Sequence, residues 1–110
     1  MSAQSVDLLI AQVIPSDWKQ PPEDALDLGA YKQLNVVIDV LSSGTAGNLY
    51  VQHAAVRDEA GFKDIANMSA LLNTVDKVFI STDAFLRYVR VRSDNVSGGP
   101  IAGARAVAKE

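Results

Sequence analysis

The sequence predicts an all-β fold, a single β-sandwich domain of about seven to eight antiparallel strands, jelly-roll-like or immunoglobulin-like. Three observations predict it. Runs rich in β-branched residues recur at near-regular spacing. Clusters of Gly, Pro, Asn and Asp punctuate them. No segment carries the helical period over the ~12 residues at which a helix becomes safe to assign, so βαβ units are disfavoured. The 110 residues, 48% hydrophobic and 21% charged, fit one globular domain. Pattern alone does not separate the jelly-roll from the immunoglobulin-like topology.

The first apolar run, Val6 to Ile14, stops at Pro15. Residues 1–14 read as an N-terminal arm or first strand, and residues 15–110 as the sandwich. Pro15 to Asp24 is a loop, because Pro21-Pro22 cannot sit inside a sheet ladder. Asp27-Leu28-Gly29-Ala30-Tyr31 reads as an edge or corner. Gln33 to Leu41 is the clearest strand: Leu34, Val36, Ile38 and Val40 share one face, with Asn35 and Asp39 on the other. Ser42 to Asn48 is a hairpin-style loop, followed by a strand from Leu49 to Val56. Arg57 to Gly61 is a charged turn, and Phe62 to Ile65 resumes a short strand.

Asn67 to Val75 places Met68, Leu71, Leu72 and Val75 at helical spacing. It reads as a loop with one helical turn, or as an irregular crossing over the sandwich edge. Lys77 to Ser81 is a strand with Val78 and Ile80 on one face. Phe85 to Arg92 is another, with Val89 and Val91 inward. Asp94 to Pro100 is a turn cluster, and Ile101 to Ala108 is the last strand. Its alternating alanines permit close approach of a facing sheet or a neighbouring subunit.

The chemistry-bearing residues are sparse. No cysteine is present, which excludes disulfides and thiolate metal sites. The single histidine, His53, has no glycine-flanked serine elbow to serve and reads as a strand histidine. Asp58, Glu59 and Asp64 could offer oxygen ligands to a hard cation, but they match no EF-hand spacing and read as solvated turn carboxylates. Gly44-Thr45-Ala46-Gly47 lacks the lysine of a phosphate-binding loop. Asn67-Met68-Ser69 and Asn95-Val96-Ser97 match the glycosylation sequon but mean little without a signal peptide, and the start of the chain lacks the positive region of one. No catalytic set, metal site or cofactor is expected.

A net charge of -3 lacks the basic footprint of a nucleic-acid binder and the polybasic stretch that holds a protein on an anionic membrane. The one basic cluster is Arg87, Arg90 and Arg92, with Arg105. Its readings are a solvated sheet face with local partners such as Asp94, a subunit contact, or, least of the three, nucleic acid. Trp18 reads as a plug at one end of the sandwich or as an exposed anchor. The N-terminal segment Met1 to Ile14, with its apolar run ahead of Pro15, reads as a docking arm that adds a strand to a partner's sheet, so that removing residues 1–11 should abolish assembly and spare the fold. The expected protein-interface residues are therefore Leu8, Leu9, Ile10, Trp18, Arg87, Arg90, Arg92 and Arg105.

Several stretches, taken in order, resemble small bacteriophage virion structural proteins of the capsid-decoration or minor-capsid kind. They are Trp18; Leu28-Gly29-Ala30-Tyr31; Val36-Val37-Ile38-Asp39-Val40; Gly44-Thr45; Val51-Gln52-His53; Asp58-Glu59-Ala60-Gly61-Phe62; and Phe85-Leu86-Arg87-Tyr88-Val89-Arg90-Val91. The same ordering is similar to sugar-binding jelly rolls of the discoidin type. The first resemblance implies a non-enzymatic component of the virion, assembled in the host cytoplasm. Its partners would be the major capsid protein, other virion proteins and further copies of itself, with neither nucleic acid nor membrane involved. The alternatives are a tail-associated component, or a carbohydrate-binding module using Trp18, Tyr31 or Tyr50.

Overall fold

The computed structural model describes residues 3–29 and 31–109. Eight strands run in chain order: β1 Ala3–Val13, β2 Leu26–Asp27, β3 Gln33–Ser42, β4 Ala46–Ala54, β5 Lys63–Leu71, β6 Asp76–Thr82, β7 Tyr88–Ser97 and β8 Ile101–Lys109. Every strand pair is antiparallel. One four-stranded sheet has the order β1-β8-β3-β6 and the other β2-β7-β4-β5. Successive strands cross between the sheets everywhere except from β4 to β5. This is the double Greek key of an eight-stranded jelly roll, which decides between the two topologies left open above.

The core lies between the sheets and follows from residue size. In β3, Leu34, Val36, Ile38 and Val40 are all buried. Each faces an alanine of β8 in register, Ala108, Ala106, Ala104 and Ala102 respectively. Large residues on β3 and small ones on β8 leave room for Leu49 and Val51 of β4 and Val89 and Val91 of β7, which belong to the same apolar cluster. The alanines thus serve this chain's own core. Each valine- or leucine-sized side chain taken out of water contributes about 1.5–3 kcal/mol.

Two sequence expectations are corrected. Residues 67–71 form the second half of β5, and no helical turn occurs there. The buried residues are Met68, Ala70 and Leu72, two apart, whereas Leu71 and Val75 are exposed. Period two prevails because Asn67 takes a left-handed backbone, φ 64°, and re-aims the strand. β7 runs through Asp94 and Asn95 to Ser97, so the turn narrows to Gly98 and Gly99, both at positive φ. A Cβ on Gly98 would stand 2.5 Å from the Thr45 nitrogen, so the close approach of the neighbouring loop requires glycine.

At the start of the chain the structure takes the first-strand alternative and not the arm. β1 is an integral strand of its sheet, paired along its length with β8. Two register shifts bracket Leu9, and the first lets consecutive residues Leu8 and Leu9 both turn inward, 3% and 6% exposed. A detachable arm would leave both leucines and the β8 edge uncovered.

Candidate protein-interaction surface

The outer faces of the two sheets differ in kind. That of β2-β7-β4-β5 is closed by a polar ladder within the chain. Arg90 is 1% exposed and is held in a fork by both carboxylate oxygens of Glu59. It also donates to Gln52 Oε1 at 2.9 Å and to the Gln20 carbonyl at 2.7 Å, and its guanidinium lies 4.1 Å from the Phe62 ring centroid. Gln52 donates to Asp64, and Asp64 accepts two bonds of 2.7 Å from Arg92. Arg92 reaches Asp94 at 3.5 Å and covers the Tyr50 ring at 4.1 Å. The arginine bonds hold the Glu59 and Asp64 carboxyls below their ordinary range, against the opposing effect of burial.

The expected interface residues therefore separate. Leu8, Leu9 and Arg90 are buried in the chain's own structure and offer nothing to a partner, which corrects their assignment. Arg92 is engaged by Asp64 and Asp94. Arg87, outside this ladder, forms a bidentate pair with Asp27 at 2.9 Å. Trp18 is half-buried against the core; its carbonyl accepts from Ser93 N and its backbone N–H donates to Ser93 Oγ. Arg105 pairs with Asp7 at 3.0 Å, and Ile10 is 73% exposed.

The other suspected chemistry does not converge. His53 Nδ1 accepts the Leu86 backbone N–H at 3.1 Å. Burial pushes its imidazole below the ordinary range. Asp58 caps the turn at Ala60, while Glu59 and Asp64 face arginines, so the three carboxylates do not face a common point. Among the described residues, no group of three acidic or histidine side chains could hold a metal ion. Trp18 and Tyr31 line separate grooves, and Tyr50 lies beneath Arg92, so the three do not form one sugar-stacking platform.

The outer face of β1-β8-β3-β6 mixes exposed apolar side chains with ion pairs. Strand register sets Asp7, Arg105, Val37 and Phe79 in one row across the four strands. The next row places Asp39 beside Lys77, 4.0 Å apart. Between and beside these rows lie Ile10, Ala11 and Leu41, and the whole encloses a shallow groove of about 430 Å³. Phe79 is 72% exposed and Leu41 53%. Several large apolar side chains exposed together around a groove, among charges already paired within the chain, form a patch of the kind that binds protein.

Sequence reasoning missed Val37, Leu41 and Phe79, although the signal was present. Assigning Asn35 and Asp39 to the outer face of β3 places Val37 and Leu41 beside them. Placing Val78 and Ile80 inward on β6 sends Phe79 outward.

No family model matches the chain, and no curated protein matches it. Solved structures do. A prophage-derived protein, YomS of SPBc2, superposes with a TM-score of 0.62 at 18% identity, covering 97% of this chain and 92% of that one. A Bacillus endospore appendage protein, from a family of disulfide-linked pili, gives a TM-score of 0.53 at 7% identity, covering 97% and 85%. At these identities the likeness is one of fold.

Proposed function

We propose that this chain is a non-enzymatic structural protein of a bacteriophage particle, a capsid decoration, cement or minor capsid protein that acts through repeated protein–protein contacts. The observation that carries this reading is the set of exposed apolar side chains on the β1-β8-β3-β6 face, Ile10, Leu41 and Phe79, interspersed with the ion pairs Asp7–Arg105 and Asp39–Lys77. A single patch of this size binds weakly, but repetition on a shell multiplies weak contacts. Likeness in fold to a prophage-derived protein supports the phage setting, and likeness to a pilus protein is in keeping with a role built on many copies. Without cysteine, the chain would assemble by surface complementarity and not by disulfide linkage.

The test is sedimentation of the purified protein with virus-sized particles recovered from cells that encode it. Saturable co-sedimentation supports the reading. Protein left in the supernatant at every particle concentration would sink it and direct attention to a glycan screen.

A further inference from the structure

The four sheet edges are not treated alike. β1 carries two register shifts, which blunt its edge. β5 bulges around Asn67 and changes register between Tyr50 and Gln52 of its neighbour. The edge beside β7 is broken into two pieces, the bridge at Lys19 and the two-residue β2, separated by Pro21-Pro22. β6 has none of these devices. Its seven residues pair with β3 from Leu34↔Thr82 to Val40↔Asp76 with no register shift, it contains no proline, and it ends its sheet. Its outer backbone edge has no strand partner among the described residues. Lys77, the one lysine on it, is drawn toward Asp39 on the neighbouring strand.

We propose that two copies of this chain pair edge to edge through β6, antiparallel and about a two-fold axis at Phe79. The register is self-complementary. Phe79 meets Phe79 of the second copy on the outer face, and Val78 meets Ile80 toward the core. Lys77 stands opposite Ser81, and Asp76 opposite Thr82, so no like charges face each other. Lys77 also has Asp83 of the second copy at its diagonal, within reach of a long side chain. Slipping the pair by two residues brings Phe79 against Lys77 and loses the aromatic contact. An isologous contact of this kind closes at two subunits. It joins the two four-stranded sheets into one of eight strands and merges both apolar patches into a single face across the axis. The inference deepens the assembly reading, on which its biological use rests, but its geometry concerns the purified protein alone.

The test is the solution mass of the wild-type protein, Phe79→Lys and Phe79→Asp, each alone and the two variants mixed. Phe79 is 72% exposed, so both variants keep the fold, and circular dichroism checks this. Wild type should run at twice the 11.7 kDa chain mass. Each variant should be monomeric, because residue 79 then meets its own charge, and mixing should restore the dimer. Because the chain has no native cysteine, Phe79→Cys should cross-link to a covalent dimer in oxidised glutathione, and Leu41→Cys on the same face should not. A monomeric wild type, or a dimer unchanged by both charges, would overturn the inference. Particle binding is absent from this experiment, so its failure is separate from failure of the assembly reading.

Discussion

The Arg90 guanidinium is buried, while the Glu59 carboxylate that grips it is half exposed, 1% against 53% for the two side chains. The pair fastens the turn between β4 and β5 to the centre of a sheet. Replacing Arg90 with alanine removes the fork and leaves Gln52 Oε1 and the Gln20 carbonyl without their donor. The half-exposed Glu59 carboxylate returns to water, but each buried acceptor left without its donor costs about 1–3 kcal/mol. Urea denaturation should show a midpoint lowered accordingly, with Arg90→Lys recovering only part because an ammonium cannot span the fork.

Stability should fall with acid in two stages. Burial lowers the His53 pKa from its ordinary 6.5, so the folded state favours the neutral ring that accepts from Leu86. A depressed pKa contributes stability that is present above the unfolded value and lost as pH falls through the folded one. The first loss therefore begins below about pH 6.5. The second begins near pH 4, as Glu59 and Asp64, held down chiefly by Arg90 and Arg92, and Asp27, held down to about 2 chiefly by Arg87, take up protons. Denaturation midpoints measured between pH 3 and pH 8 should show both stages, and His53→Gln should remove the first.

Removing residues 1–11 should unfold the protein and not merely free it from partners. Leu8 and Leu9 lie in the core and β8 loses one of its two strand neighbours. Leu8→Ala alone should cost about 2–5 kcal/mol by the same urea assay, the range for truncating a buried leucine. A truncated chain with an unchanged thermal transition would contradict the placement of β1.

Much of the sandwich was legible because apolar residues alternate on β3 and β8, and at Leu49/Val51 of β4 and Val89/Val91 of β7, and the turn residues are strong. The second half of β5 was not. Its Met68, Leu71, Leu72, Val75 spacing imitates a helix, and only tertiary pairing with β4 through a bulge at Asn67 shows period two. The same holds for Leu8 and Leu9: a bulge that turns adjacent residues inward leaves no periodic trace. For the surface, charge drew attention to the arginines, which the fold pairs internally with Asp27, Glu59, Asp64 and Asp7. The informative residues were apolar ones on a polar face, Val37, Leu41 and Phe79.

Substitutions of exposed apolar residues on this face should separate fold from attachment. Ile10→Asp and Leu41→Asp alter exposed side chains outside the core, so each should change stability by no more than about 0.5 kcal/mol. Thermal unfolding of both variants should therefore match the wild type, whereas Val36→Asp, at a fully buried neighbour on β3, should prevent folding.

The most direct measurement is the co-sedimentation of wild type and of the doubly substituted Ile10→Asp, Leu41→Asp protein with virus-sized particles from the cells that encode the chain. Wild type should pellet with the particles to saturation, and the folded double variant should remain in the supernatant. Equal pelleting of the two, or of neither, would contradict attachment through the β1-β8-β3-β6 face.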